Sequence, residues 1–155
     1  MRAAAAGPDG MPGVRGDGAG GMTAATVVRP KRRIFPGSYD QVRQVRLFVT
    51  RVLDGCPVAD QAVLLASELA ANAIAHTASG QGGTFVVNVY RGETRLMVTV
   101  RDDGSDQAPA VQPGGEVTES GYGLGLVELM AHGWGHCGGS RSRVVWFMLE
   151  WKPNP

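Results

Sequence analysis

Several things are scarce in this sequence, and each scarcity narrows what the chain can do. It has only two cysteines, Cys56 and Cys137, far apart and without metal-type spacing. That excludes a disulfide scaffold and points to reduced thiols in a cytoplasmic setting. Charge imbalance is nearly absent: 15 Lys+Arg against 14 Asp+Glu leave a formal +1. No global field therefore recruits nucleic acid or an anionic membrane, and any partner has to be recognised locally. No apolar run approaches the roughly 20 residues that cross a bilayer, and the Arg-Ala-Ala-Ala-Ala start is too short for a signal-peptide core. Secretion and membrane insertion are not expected, and no internal repeat is present. What is there is 155 residues, 43% of them apolar, enough for one domain with a continuous core.

Glycine is abundant but unevenly placed. It crowds Gly7–Gly21, among Pro8, Asp9, Pro12 and Asp17, where almost no large apolar side chain offsets the entropy of ordering. Residues 1–25 are read as a disordered tail, with Met22 as a second candidate start, and residues 26–152 as one domain. A strand is predicted over Thr26–Phe35; its Arg29, Lys31, Arg32 and Arg33 fit a solvated edge or a site for an anionic partner. Val42, Val45, Phe48, Val49 and Val52 recur at helical spacing after the cap candidates Ser38 and Asp40, predicting a helix over Tyr39–Leu53. A second helix is predicted over Ala59–His76, and two strands, Thr84–Tyr90 and Arg95–Arg101, form a hairpin. Ser105–Ser120 has no periodicity of either kind and reads as a lid or binding loop. A helix over Leu124–Ala131 and a strand over Val144–Trp151 complete the expectation.

Three stretches carry chemistry. In the second helix an almost continuous apolar sequence is interrupted by Glu68, Asn72 and His76 at i, i+4 and i+8, a single stripe. A carboxylate in such surroundings needs a partner or a chemical role; capping a loop amide is the plainer alternative for Glu68. In the hairpin, Leu96, Val98 and Val100 point to one face, and the next residue of that row is Asp102. An acid thus stands where the core should continue, placed to accept a hydrogen bond from a ligand amine, or else merely to start the Asp102-Asp103-Gly104 turn. Finally, Gly121-Tyr122-Gly123-Leu124-Gly125-Leu126 opens a helix, where glycines let backbone N–H groups approach an anion. It is neither the dinucleotide fingerprint nor a Walker loop, and phosphate is its natural ligand. His132, His136 and Cys137 lack a fourth ligand and a helical face, which argues against zinc.

In this order the three stretches resemble the histidine-kinase-like ATPase superfamily, the Bergerat-fold group. Glu68-Leu-Ala-Ala-Asn72-Ala-Ile-Ala-His76 is similar to its N box, Asp102-x-Gly104 to its first glycine box, and Gly121-x-Gly123-Leu124 to its second. More narrowly, Arg33-x-Phe35-Pro36-Gly37, Trp134-Gly135 and Val145-Trp146 resemble the stand-alone anti-sigma-factor serine/threonine kinases. The resemblance implies an α+β fold, a two-layer sandwich in which a mixed, mostly antiparallel sheet is covered on one face by three helices. It implies ATP with Mg²⁺ as cofactors. Glu68 would be the catalytic base and Asn72 the Mg²⁺ ligand. Asn72, His76, Asp102, Gly104, Gly121, Tyr122, Gly123, Leu124 and Gly125 would bind nucleotide, Asp102 through the adenine amino group. The implied partners are a sigma factor and an antagonist protein whose Ser/Thr receives the γ-phosphate. Homodimerisation through the first strand and helix is compatible with the likeness, and a switch that sequesters a partner without phosphotransfer is the alternative. Two departures stand out: Asp106 occupies the place of the second glycine of the first box, and Val144 aligns with a Thr that often orients the adenine-binding Asp.

Overall fold

A computed structural model describes residues 29–106 and 122–154, so the expected tail and residues 107–120 of the expected lid lie outside the described part. Within it the chain alternates between the two periodicities as follows: β1 Lys31–Pro36, α1 Gln41–Val52, α2 Ala59–His76, a 3₁₀ turn Ala78–Gly80, β2 Thr84–Arg91, β3 Arg95–Asp102, α3 Tyr122–Met130, β4 Gly133–Gly138 and β5 Arg143–Glu150. The strands form one sheet in the order β1-β2-β3-β5-β4. Every pairing is antiparallel, so the mixed component expected of the sheet is not found among the described residues. A hairpin joins β2 to β3, whereas β3 to β5 is a long return connection that encloses α3 and β4.

Alternation decides which side of the sheet is covered. Phe35, Phe85, Val87, Val89, Leu96, Val98, Val100, Val145, Phe147 and Leu149 share one buried cluster with Val45, Val49 and Leu53 of α1, the Leu65, Ala66, Leu69, Ala70 and Ala73 face of α2, and Leu124 and Val127 of α3. The helices lie side by side: α1 packs on β1 and β2, α2 over β3 and β5, and α3 against α2 and β4. At the β1 edge Phe35 stacks on Phe85 with ring centroids 5.4 Å apart, and the Arg33 guanidinium sits 4.9 Å from the Phe35 ring. One of the four basic residues of that region thus has a structural contact.

Two features depart from the sequence expectation. Periodicity does not predict β4, because Gly-Trp-Gly-His-Cys-Gly carries no alternating apolar pattern. Space does not call for glycine at Gly133, where a Cβ would make ordinary contacts 3.5 Å from the Met148 methyl and 3.9 Å from the Trp146 ring, whereas at Gly138, with φ 98°, a Cβ would fall 2.2 Å from the Ser142 carbonyl oxygen. The start of α1 is also uncapped by a side chain. Asp40 is its N-cap residue without a cap hydrogen bond, and instead accepts from the Ser38 hydroxyl.

Close backbone approaches tie the layers together. Gly37 donates its N–H to the Gly83 carbonyl at 2.9 Å, and a Cβ on Gly37 would lie 1.8 Å from the Ser79 carbonyl oxygen. Gly55 differs: its φ of 75° favours glycine, but a Cβ there meets nothing within 4 Å. Gly55→Ala should therefore cost only the left-handed strain of about 1–2 kcal/mol. Gly37→Ala drives an atom into backbone that cannot turn aside, and should reach the upper end of the overpacking range, about 3 kcal/mol. Urea unfolding of both variants checks the ranking, and equal losses would contradict it.

Candidate functional site

At one end of the sheet, β3 finishes on Asp102, where the row Leu96, Val98, Val100 leaves the covered core. The residue is 2% exposed. The antiparallel register sets Asp102 directly opposite Arg143, the first residue of β5, which is itself 4% exposed. The guanidinium holds a single carboxylate oxygen: Arg143 Nε donates to Asp102 Oδ2 at 3.0 Å, and Nη2 lies 3.0 Å from the same atom. The other oxygen, Oδ1, accepts the Gly104 N–H at 2.8 Å. Burial pushes the Asp102 carboxyl above its ordinary value; Arg143 and the Gly104 amide pull it down but do not overcome the desolvation.

The turn after Asp102 is held just as closely. Gly104 has φ 87°, and a Cβ there would fall 2.5 Å from the Gly139 carbonyl oxygen in the β4–β5 loop, so both conformation and space call for glycine. Gly104 accepts from the Ala78 N–H at 3.1 Å. The Ser79 hydroxyl, fully buried, donates to the Thr84 carbonyl at 2.7 Å and accepts the Asp103 N–H at 2.9 Å. One small side chain thereby ties the end of α2, the start of β2 and the end of β3 into a single corner.

α2 reaches this corner with the stripe that sequence spacing singles out. Glu68 and Asn72 are half-buried, and His76, the last residue of the helix, is exposed. The gradation follows from helical pitch: each i+4 step advances the side chain by about 40° around the axis, so the stripe winds from the covered side towards solvent. Glu68 and Asn72 stand one turn apart on a helix that packs against both β3 and α3, while His76 sits at its margin. α3 begins at Tyr122, two residues before the expected Leu124. Gly123 and Gly125 therefore lie inside its first turns and do not form a loop ahead of it, whereas Gly121 lies outside the described residues. Leu124 is buried in the core. A Cβ on Gly125 would meet no described atom within 4 Å, so packing does not require glycine there.

Arg143 is the residue that sequence reasoning misses. The row argument that isolates Asp102 applies equally to β5, where Leu149, Phe147 and Val145 point into the core and Arg143 is the next member. Val144, aligned with the orienting Thr, pairs with Arg101 and turns to the opposite face, so the residue that holds Asp102 is its neighbour Arg143. Beyond this corner, the Trp134 indole donates to the Glu128 carboxylate, fastening β4 to α3, and His132 Nδ1 accepts the Glu150 N–H at 3.1 Å. Among the described residues no group of three or more His, Cys, Asp or Glu could hold a metal ion, and no helix is long and apolar enough to cross a membrane.

An acid ends the central strand, a polar stripe runs along the central helix, and α3 beside it carries glycines in its first turns. The model of the histidine kinase-like ATPase domain matches residues 35–136, more than half of the chain. The chain belongs to the histidine kinase-like ATPase domain family. ATP binding is the property that membership carries. The match runs from the end of β1 into β4 and includes Glu68, Asn72, Asp102 and Gly125, while Arg143 lies beyond it. No curated protein matches the sequence.

The raised carboxyl has a signed consequence for stability. A group whose folded pKa exceeds its unfolded value favours the folded state while protonated, and that contribution is lost as pH rises through the folded value. Subtracting the unfolding free energy of Asp102→Asn from that of wild type isolates the Asp102 contribution. The difference should fall as pH rises from below the ordinary carboxyl value, about 3.9, through the higher folded value. Urea titrations showing it rise would refute the assignment.

Proposed function

We propose that this domain binds ATP with Mg²⁺ and acts as a regulatory protein of the anti-sigma-factor kind, transferring the γ-phosphate to a Ser or Thr hydroxyl of an antagonist protein. The observation that carries the nucleotide part is Asp102. It is a buried carboxylate at the end of an apolar row, held among the described residues by Arg143 and the Gly104 amide through three of its roughly four acceptor positions. Such a group suits a ligand amine, and in this family adenine supplies one.

The other residues fit the same ligand. The Asn72 side-chain carbonyl is a hard, neutral oxygen of the kind Mg²⁺ accepts, and that ion usually keeps waters and takes further ligands from phosphate oxygens. Bound there, the ion would neutralise charge developing on the transferred group. Gly123 and Gly125, early in α3, leave its backbone open to close approach by phosphate. Glu68, one turn before Asn72, is placed as general base. It takes the proton as the substrate hydroxyl oxygen bonds to the γ-phosphorus, the bond to the β-phosphate bridging oxygen breaks, and ADP departs. A sigma factor and its antagonist are the proposed partners.

Asp106 favours the alternative, a nucleotide-dependent switch that sequesters its partner without phosphotransfer, because it puts a negative charge where the first glycine box would have its second glycine. Labelling of a cognate antagonist, captured from the native cell, with [γ-³²P]ATP separates the two. Wild type is expected to label it, and Glu68→Gln to bind ATP yet label about 10²–10⁴-fold more slowly. Equal labelling by the two removes Glu68 from catalysis, and ATP binding without any labelling by wild type favours the switch. Asn72→Ala should lose the Mg²⁺-dependent part of ATP affinity in calorimetry; an affinity that ignores Mg²⁺ in both proteins would contradict the metal role.

A further inference from the structure

The Asp102–Arg143 pair is hard to explain by stability. A buried ion pair roughly breaks even against apolar residues of similar volume, so valine and leucine continuing the two rows would close this end of the sheet about as well. The geometry of the pair is also particular. Arg143 does not fork across both carboxylate oxygens; Nε and Nη2 converge on Oδ2, and Oδ1 takes only the Gly104 N–H among the described residues. An ionised carboxylate offers about four acceptor positions, two on each oxygen. Oδ2 is therefore filled, and Oδ1 retains one position. The guanidinium carries five N–H donors, of which Asp102 engages two, both through Oδ2.

We propose that Arg143 is a specificity-determining residue of the base site: it donates to the ring nitrogen N1 of adenine while Oδ1 of Asp102 receives the neighbouring amino group. The inference rests on the nucleotide reading above and adds a second reader to it. A base edge with one amino donor beside one ring acceptor satisfies this pair. Guanine presents an oxygen and a ring N–H at the corresponding positions, so its oxygen would face the carboxylate and its N–H the guanidinium. By holding both members of the pair in strand register, the sheet makes the pattern rigid before any base arrives.

The test compares ATP with 1-deaza-ATP, which keeps the amino group but lacks the N1 acceptor, by calorimetry on the full chain in Mg²⁺. Wild type is expected to bind 1-deaza-ATP about tenfold or more weakly than ATP, because a buried charged donor is left without its acceptor. In Arg143→Met the two ligands should bind with equal affinity, and GTP should be discriminated less strongly than in wild type. Should circular dichroism show that Arg143→Met does not fold, Arg143→Lys serves in its place, with a smaller 1-deaza penalty than wild type expected. Equal binding of ATP and 1-deaza-ATP by wild type overturns the role of Arg143 while leaving the nucleotide site intact. An undiminished 1-deaza penalty in the folded variant overturns it too. Absence of ATP binding by wild type overturns the nucleotide reading, and this inference with it.

Discussion

An acid at the end of an apolar row is the constraint around which this corner of the molecule is built. Left alone, the Asp102 carboxylate would cost several kcal/mol in desolvation. Its cross-strand position opposite Arg143 and the Gly104 amide offset that cost. The compensation is incomplete, since burial still pushes the carboxyl above its ordinary value. Among the described residues the carboxylate is tethered through three of its acceptor positions and buried, so its orientation is fixed by the strands that carry it.

Holding that group in place requires backbone to touch backbone. Ser79 joins α2, β2 and β3 through its hydroxyl, Gly37 lies against the Ser79 carbonyl, and Gly104 presses on the β4–β5 loop. The contacts gather where the central helix ends and the central strand stops, so the elements bearing Asn72 and Asp102 share one anchored corner. The β4–β5 loop belongs to it as well. Arg143 starts the strand directly after that loop, so the position of the Asp102–Arg143 pair depends on a hairpin distant in sequence from α2.

Much of this is legible in the residues. The 3.6-residue pattern of the second helix gives both its ends, Ala59 and His76, because its apolar content is high and Pro57 stands just ahead of it. Alternation in β3 is enough to mark Asp102 as an anomaly, since a carboxylate interrupts a row that is otherwise apolar. The glycines hide β4: Gly133, Gly135 and Gly138 remove the side chains on which a strand pattern is read. Spacing makes Glu68, Asn72 and His76 a single stripe, but helical pitch carries its last member out to the exposed end of the helix.

Periodicity, composition and three short motifs pointed to the fold class and the family and singled out the candidate corner, because each is a local property of the chain: which side chains share a face, where a turn must fall, which helix carries glycine in its first turns. The partner of Asp102 was decided by tertiary structure alone. Asp102 and Arg143 are 41 residues apart, and only the antiparallel register of β3 against β5 puts them side by side. A shift of one residue would have turned Val144 to the carboxylate and sent the guanidinium to the opposite face, because side chains on a strand alternate with a period of two.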